Sequence, residues 1–133
     1  MAASIDDASR ALLDAKNFVH VTTLKADGTP HTAVVWVDSE GDEVLVNSAV
    51  GRAWPTNLER DPRVWLTVVN LENPYQYLTV SGEAVEITQD GADDHINALA
   101  KKYLDKDVYP FRQPDEVRLK IRIRPDRVKL HGG

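Results

Sequence analysis

Alternating apolar and polar positions recur along most of this chain and predict β-strands. Short runs that are rich in β-branched residues, or that repeat with a period of two, are typical of strands in a sheet. Six segments have this character: residues 18–24, 31–37, 43–47, 63–69, 76–87 and 117–123. Turn-forming residues at 26–29 and 38–42 separate the first three segments, so we expect these strands to form a meander before any helix.

Two of these segments carry further information. Residues 63–69 are apolar on both faces, which is typical of a strand that is buried on both sides. Gly82 interrupts residues 76–87, and a glycine within a strand indicates a β-bulge or a sharp bend. The longest predicted strand is therefore expected to change direction near its middle.

Helical periodicity marks three other segments. Residues 4–15 place small and apolar side chains on one face, and Ser4 followed by Asp7 resembles a capping box. Residues 91–104 repeat apolar side chains at i, i+3 and i+4, which predicts an amphipathic helix. Residues 48–62 are compatible with a helix of one or two turns.

Strands that follow one another without long crossovers favour an antiparallel barrel over a parallel sheet. The predicted fold class is mainly β: a six-stranded antiparallel barrel with flanking helices, which closes around one core. With 133 residues, the chain is expected to be a single domain spanning residues 1–133. Residues 105–116 contain two prolines and are interpreted as a loop.

Composition narrows the classes of function. The chain has no cysteine, which excludes disulfides, thiolate metal sites and a cysteine nucleophile and is typical of a reducing cytoplasm. The net charge of −5 argues against general nucleic-acid binding, and no apolar run is long enough to span a membrane. The four histidines match no common metal-binding spacing, so we expect no metal site.

The segment 47–55 is the first candidate for chemistry. It contains Gly51, Arg52 and Pro55, where Pro55 is suited to the first position of a helix. Free N–H groups at a helix start, together with the forked donors of an arginine, can cradle an anion such as phosphate. The same residues also fit an ordinary strand-to-helix loop with a solvated arginine.

Aromatic residues are the second candidate. Tyr75 and Tyr77 are two residues apart at the entrance of a predicted strand and are expected to share one face, where they can stack on a planar ring. A role in the core or in a dimer interface fits these two residues equally, and Trp36, Trp54 and Trp65 have the same ambiguity.

A basic stripe runs along the last predicted strand at Arg118, Lys120, Arg122 and Arg124. Such a stripe can attract an anionic ligand, but charged side chains on one strand face are more often solvated, and we favour the solvated interpretation.

Residues 51–64, with the sequence Gly-Arg-Ala-Trp-Pro-Thr-Asn-Leu-Glu-Arg-Asp-Pro-Arg-Val, resemble the phosphate loop, short helix and following strand of the pyridoxamine-phosphate-oxidase-like split barrels. Residues 73–78, 95–104 and 109–112 are similar to the actinobacterial, F420-dependent branch of this flavin and deazaflavin oxidoreductase superfamily. The resemblance covers nearly the whole chain.

This resemblance implies a homodimer with two cofactor sites at its interface, in addition to the cytoplasmic location that the composition predicts. Tyr75 and Tyr77 are implied to approach each site from the other subunit. The full set of implied cofactor-binding residues is Ala33, Val34, Val35 and Trp36 beside the ring system, Asn47, Ser48, Arg52, Trp54 and Asn57 around the ribityl and phosphate groups, and Tyr75 and Tyr77.

The implied activity is hydride transfer from reduced coenzyme F420 to a small, conjugated, electron-poor acceptor. Many members of the family have a lysine where this chain has Trp54, and the loss of that charge favours F420, with its longer tail, over FMN. Tyr77 or solvent is available as a proton source, and no side chain is assigned as catalytic. The alternatives are an FMN-dependent oxidase or reductase of the same fold, and a non-catalytic binder of a flavin, deazaflavin or tetrapyrrole.

Overall fold

The computed structural model describes residues 3–132, which form one antiparallel sheet with three flanking helices. The strands are β1 (Val19–Leu24), β2 (Pro30–Val35), β3 (Asp38–Glu40), β4 (Glu43–Ala49), β5 (Arg63–Val69), β6 (Tyr77–Thr88) and β7 (Arg118–His131). The helices are α1 (Asp7–Asp14), α2 (Ala53–Arg60) and α3 (Ala92–Leu104). The strands lie in the order β2-β1-β5-β6-β7-β4-β3.

The mainly β, antiparallel fold with flanking helices is confirmed, but the strand count and the closure were wrong. Within the described residues the sheet has seven strands, because Asp38–Glu40 folds back on β4 where we predicted only a turn. Strands β2 and β3 are its two edges, so the sheet stays open. The last strand also continues to His131, since it pairs with β4 along one edge and β6 along the other.

The core lies on one face of the sheet. Alternate residues of the central strands point into it, and α1 and α2 cover its ends. The largest buried side chains are Leu13, Leu66, Leu78, Ile121 and Ile123. Helix α3 packs on the other side, against β4 and β7, and this separate layer positions the cleft described below.

The three helices lie within the predicted segments, but two of them begin at different residues than predicted. Asp6, not Ser4, caps α1, because its carboxylate accepts a hydrogen bond from the Ser9 N–H at 2.8 Å. Arg52 is the N-cap residue of α2, so Pro55 lies at the third helical position and not the first. Helix α3 covers residues 92–104, as its periodicity predicted.

The prediction that β5 is buried on both sides was wrong. Val64, Leu66 and Val68 are buried in the core, whereas Trp65 on the opposite face remains 39% exposed. Within the single chain, this face of β5 is therefore uncovered. No helix of the described residues is long and apolar enough to cross a membrane.

Gly82 lies at a bulge between β6 and β7, as the sequence predicted. The pairing register shifts between Ser81 and Gly82, and again between Ala84 and Glu86. A Cβ atom at Gly82 would lie 2.2 Å from the backbone oxygen of Arg124. Because both strands are held by their ladder hydrogen bonds, the close approach requires glycine.

Replacing Gly82 with Ala is expected to lower the free energy of unfolding by about 3 kcal/mol, since the methyl group can fit only if β7 shifts. Chemical denaturation of the two proteins measures the difference. Gly28→Ala is the matched control: its φ of +87° strains alanine, but nothing lies within 4 Å of the added carbon. A loss at Gly82 no larger than the loss at Gly28 would contradict the steric explanation.

Candidate functional site: an aromatic cleft with a cationic end

A cavity of about 340 Å³ opens between β2, α3 and the loop at residues 105–117, and we call it the aromatic cleft. Its size is at the lower end of small-molecule sites. The lining residues are Phe18, Val34, Val35, Trp36, Asn47, Arg52, Ile96, Leu99, Tyr109, Phe111 and Arg118. The walls are thus mostly apolar and aromatic, and the polar groups gather where β4, α2 and β7 meet.

A chain of ring contacts builds the aromatic side of the cleft. Trp36 stacks on Tyr103 with ring centroids 5.2 Å apart and planes 6° apart. Tyr109 meets Trp36 edge-on at 5.9 Å and Phe111 edge-on at 5.8 Å, and Phe18 stacks on Tyr103 at 5.7 Å. Such offset and edge-on pairs are favourable geometries for aromatic rings. The cleft therefore presents flat surfaces with set orientations.

The backbone of the strand ends fixes the position of Tyr103. Its hydroxyl accepts a hydrogen bond from the Val37 N–H at 3.1 Å and donates to the carbonyl oxygen of Asn17. Lys102 next to it donates to the carbonyl oxygens of Leu13 and Val37, both at 2.7 Å. Burial raises the pKa of Tyr103 to about 12, so the hydroxyl stays protonated at neutral pH. Tyr103 therefore supports Trp36 from behind.

The cationic end depends on Arg118 of β7, whose side chain is only 3% exposed. Its Nε donates to Asn47 Oδ1 at 2.9 Å, and one Nη donates to Glu116 Oε1 at 2.8 Å. The guanidinium also lies over the Tyr109 ring, 5.1 Å from its centroid. Burial lowers the pKa of Arg118 and the Glu116 charge opposes this effect, so the group remains a cation.

Arg52 provides a second guanidinium at the mouth of the cleft. It is half exposed and donates to the same Glu116 oxygen at 2.9 Å. Arg52 is also the N-cap residue of α2 and makes no side-chain cap hydrogen bond to any described residue. The positive end of the α2 dipole and two guanidinium groups therefore converge on one region, which is suited to an anion.

Asn47 connects this region to His95 of α3. Because Arg118 Nε can only donate, the atom facing it is the Asn47 oxygen. The Asn47 amide nitrogen then donates to the Ala92 carbonyl oxygen at 3.0 Å and to His95 Nδ1 at 3.1 Å. His95 consequently carries its proton on Nε2, which is buried and has no partner among residues 3–132.

The predicted site residues divide into two groups. Five of them line the aromatic cleft together: Val34, Val35, Trp36, Asn47 and Arg52. Ala33, on the same strand, is half-buried and packs against the core. The remaining five are not in the lining of this cleft within the single chain.

Three of those five support the cleft from the core side. Trp54 is 4% exposed and belongs to the core cluster, because α2 turns this face of its first turn inward. Asn57 is buried and donates to Thr23 Oγ1 at 3.1 Å, which joins α2 to β1. Ser48 faces away from Asn47 by strand alternation and is buried.

Tyr75 and Tyr77 do not line the cleft within the single chain. Tyr75 is 86% exposed in the turn before β6, and Tyr77 begins the strand and stacks on His131 at 4.4 Å. Their predicted placement on one strand face was wrong, since Tyr75 precedes the strand.

The sequence interpretation missed Arg118, Glu116, Tyr109 and Phe111. The favoured view of the basic stripe as solvated was wrong for Arg118, because β7 pairs its residues 118 and 120 with Ala49 and Asn47 and turns this face toward α3. The sequence did contain one signal for this part of the cleft. Tyr109 and Phe111 are two aromatic residues close together in a loop, which is a common feature of binding surfaces. Across residues 3–132, no three His, Asp or Glu side chains gather as in a metal centre.

This arrangement fits a planar ligand that carries an anionic group. The rings and valines offer an apolar surface for a flat molecule, and Arg52 and Arg118 offer donors at one end. Among residues 3–132, no carboxylate lines the cleft, and Glu116 is engaged by both arginines from outside the lining. The residues present can therefore hold a phosphate-bearing ring compound.

We predict a pH-dependent stability that originates at His95. Burial, together with the positive charges of Lys120, Arg118 and Arg122, lowers the pKa of His95 to about 4 from its usual value of 6.5. Above pH 6.5 the neutral ring is present in both states, but as the pH falls towards 4 only the unfolded chain gains the proton. The native state therefore loses stability in this window, by up to roughly 3 kcal/mol.

The measurement is the free energy of unfolding of wild type and His95→Gln at about pH 7.5 and pH 5, within the range where histidine titrates. The variant should lose less stability on acidification than wild type. His20→Gln, at an exposed histidine, should behave as wild type. Equal slopes for wild type and His95→Gln would show that His95 is not the cause.

The chain is similar to several proteins of known structure over most of its length. A solved structure named F420 Reductase is 26% identical and superposes with a TM-score of 0.79, with 90% of this chain and 94% of that chain covered. A conserved hypothetical protein from Mycobacterium tuberculosis, Rv2991, is 18% identical with a TM-score of 0.74, covering 98% of this chain and 86% of the other. General Stress Protein 26 from Bacillus anthracis is 20% identical with a TM-score of 0.67, covering 91% and 88%.

The structures below 25% identity show the shared fold, which is the split barrel. None of the curated proteins compared with the sequence gives a significant match. The model of the family described as pyridoxamine 5'-phosphate oxidase matches residues 5–132, nearly the whole chain. The chain therefore belongs to the pyridoxamine 5'-phosphate oxidase family, a family of flavin-binding oxidoreductases.

Proposed function

We propose that this protein is an F420-dependent oxidoreductase that transfers a hydride from reduced deazaflavin to a small, conjugated, electron-poor acceptor. The observation that carries the proposal is the aromatic cleft, in which a flat apolar surface and two guanidinium groups occur in one cavity. The name of the 26% identical relative, F420 Reductase, supports the choice of deazaflavin. When bound, the reduced coenzyme would supply the hydride.

In this proposal, β2 provides the surface beside the ring system. Val34 is 57% exposed on the edge strand, and Trp36 is held in place by Tyr103 and Tyr109. A wall whose rings are already packed loses little conformational freedom when a ligand binds. Orientation of the ring and the acceptor against each other is the main contribution expected from these residues.

Arg52, Arg118 and Asn47 are proposed to hold the anionic part of the coenzyme. Arg118 is kept in place by Asn47 from one side and Tyr109 from another, whereas Arg52 can turn towards a ligand from its exposed position. Ser48, Trp54 and Asn57 set the position of β4 and α2 from the core side. Charged hydrogen bonds of this kind are each worth about 1.5–3 kcal/mol.

The proton that accompanies the hydride needs a source. Tyr103 is fixed by backbone partners with its pKa raised to about 12, which does not suit a general acid at neutral pH. Within the single chain, Tyr77 stacks on His131 away from the cleft. We propose solvent as the source, or Tyr77 of a second copy of the chain.

We further propose a homodimer that completes the site. Trp65, Thr67, Thr79 and Lys129 line an open depression across β5, β6 and β7. The exposed Tyr75 lies in the turn just before β6. An apolar surface around a half-exposed tryptophan is typical of protein interfaces. In such a dimer, Tyr75 and Tyr77 of one copy would approach the cleft of the other.

FMN-dependent chemistry on the same fold is the alternative enzyme, because FMN has a planar ring and a phosphate as well. A non-catalytic binder of a flavin, deazaflavin or tetrapyrrole is the alternative outside enzymes. It is favoured by one feature: the only titratable side chains lining the cleft, within residues 3–132, are Arg52, Arg118 and Tyr109.

The dimer proposal predicts that Trp65→Glu gives a monomer, because the carboxylate would be desolvated at the interface. Sedimentation equilibrium of the purified proteins measures this. Val85→Glu is the matched control, since Val85 is also exposed, at 45%, but lies at the bulge of β6. A monomeric wild type, or a Trp65→Glu protein that remains dimeric, would refute the proposal.

The cofactor proposal predicts saturable binding of F420 and reduction of enones or quinones by reduced F420 under anaerobic conditions. Fluorescence titration with F420 and FMN separates the two cofactors. Arg52→Ala should weaken the binding of either by about 10-fold to 100-fold, as expected for a lost charged hydrogen bond. Arg63→Ala, which removes an exposed arginine paired with Asp61, should have no effect. Tight binding of FMN without binding of F420 would favour the FMN-dependent enzyme. Binding of a cofactor without any turnover would favour the non-catalytic binder.

A further inference from the structure

Resting on the function proposed above, we propose that Glu116 is an internal competitor for the phosphate of the ligand. Its carboxylate engages both cleft arginines in the free chain and has to release them when a phosphate binds. Glu116 thereby determines specificity: it selects ligands whose anionic group can replace it, and it links that exchange to the loop at residues 105–117.

The contacts of Glu116 place its carboxylate where a ligand oxygen would be bound. A single oxygen, Oε1, accepts from Arg52 at 2.9 Å and from Arg118 at 2.8 Å. The Glu116 side chain is 6% exposed although its neighbours in the loop are exposed. Both arginines line the aromatic cleft, so any anion that enters it meets donors that are already engaged.

A phosphate is a stronger partner for this pair than the carboxylate. As a monoester in FMN it carries up to two charges and three free oxygens, and as the diester of F420 it carries one charge and two free oxygens. In both cases Arg52 and Arg118 can each bind a separate oxygen, whereas they share one oxygen of Glu116. Arg118 keeps its bond to Asn47 at 2.9 Å and its position over Tyr109 when Glu116 leaves. The exchange of carboxylate for phosphate therefore requires only that Glu116 moves, while Arg118 and its other two contacts stay in place.

The local structure allows Glu116 to move. The turn at residues 113–116 is closed by Glu116 itself, through its N–H to the Gln113 carbonyl oxygen at 3.1 Å and through Oε2, which accepts from the Gln113 N–H at 3.3 Å. Upstream, the Tyr109 N–H is held by Asn97 Oδ1 at 2.9 Å, and downstream β7 begins at Arg118. When the Glu116 carboxylate is displaced, the turn at residues 113–116 therefore loosens, while Tyr109 on one side and β7 on the other remain anchored.

Phe111 and Arg112 lie on this same segment. Phe111 lines the cleft and is 60% exposed, and Arg112 donates to the Glu116 carbonyl oxygen at 3.1 Å and to Asp93 at 2.6 Å. When the turn is released, these residues can rearrange over the ligand. A ligand without an anionic group leaves the Glu116 contacts intact and leaves the loop as it is.

The test compares FMN with riboflavin, and F420 with its phosphate-free chromophore, on wild type and Glu116→Gln. Because the neutral amide no longer competes, the variant should bind the phosphate-bearing ligands about fivefold to tenfold more tightly and change less than twofold for the neutral ones. Glu83→Gln is the matched control: it removes a negative charge from a pair with Arg124 outside the loop and the cleft, and it should leave all four affinities within about twofold.

A measurement on wild type supports the test independently of how well the variant folds. Hydrogen exchange at the Gln113 amide, followed by NMR, should become faster with FMN or F420 and stay unchanged with riboflavin. Equal changes for phosphate-bearing and neutral ligands, or weaker phosphate binding by a folded Glu116→Gln, would overturn the role of Glu116. If neither wild type nor the variant binds any of the four ligands, the proposed function itself fails.

Discussion

The burial of the Arg118 guanidinium is the constraint on which the candidate site depends. A charged group removed from water costs several kcal/mol unless other groups replace its hydration. Here three contacts do so: the Asn47 oxygen, the Glu116 carboxylate and the face of Tyr109. These partners come from β4 and from the loop before β7. Compensating the one buried charge of β7 therefore brings three parts of the chain together: β4, this loop and β7 itself.

The same interaction orders the layer formed by α3. Asn47 can accept from Arg118 only with its oxygen, which directs its amide nitrogen to Ala92 and His95 at the start of α3. Asn97, one turn further along, accepts from the Tyr109 N–H and so positions the loop that carries Glu116. The hydrogen bonds therefore connect β4 to α3, and α3 through the loop back to the Arg118 guanidinium. In the proposal above, this network holds the donors for an anion in place, and Glu116 is the member that a ligand replaces.

The aromatic half of the cleft has a different physical basis. Rings from β2, α3 and the loop pack on each other, and Tyr103 fixes the group through hydrogen bonds to the backbone at the ends of β2 and α1. Since the rings are oriented before any ligand arrives, a planar molecule finds surfaces of set direction. The open edges of the sheet at β2 and β3 keep this side accessible, which a closed barrel would not.

Periodicity alone determined the local elements of this protein. Six of the seven strands within the described residues, the amphipathic helix α3 and the bulge at Gly82 follow from side-chain spacing and from glycine chemistry, which act over a few residues. The short strand β3 and the second half of β7 do not, because they depend on pairing with other strands. Only the tertiary structure decided that Arg118 is buried, that Trp54 belongs to the core and that Tyr109 faces Trp36. Each of these depends on strand register and on which face α2 and α3 cover. Contacts between residues far apart in the chain set both, and spacing along the sequence carries no information about them.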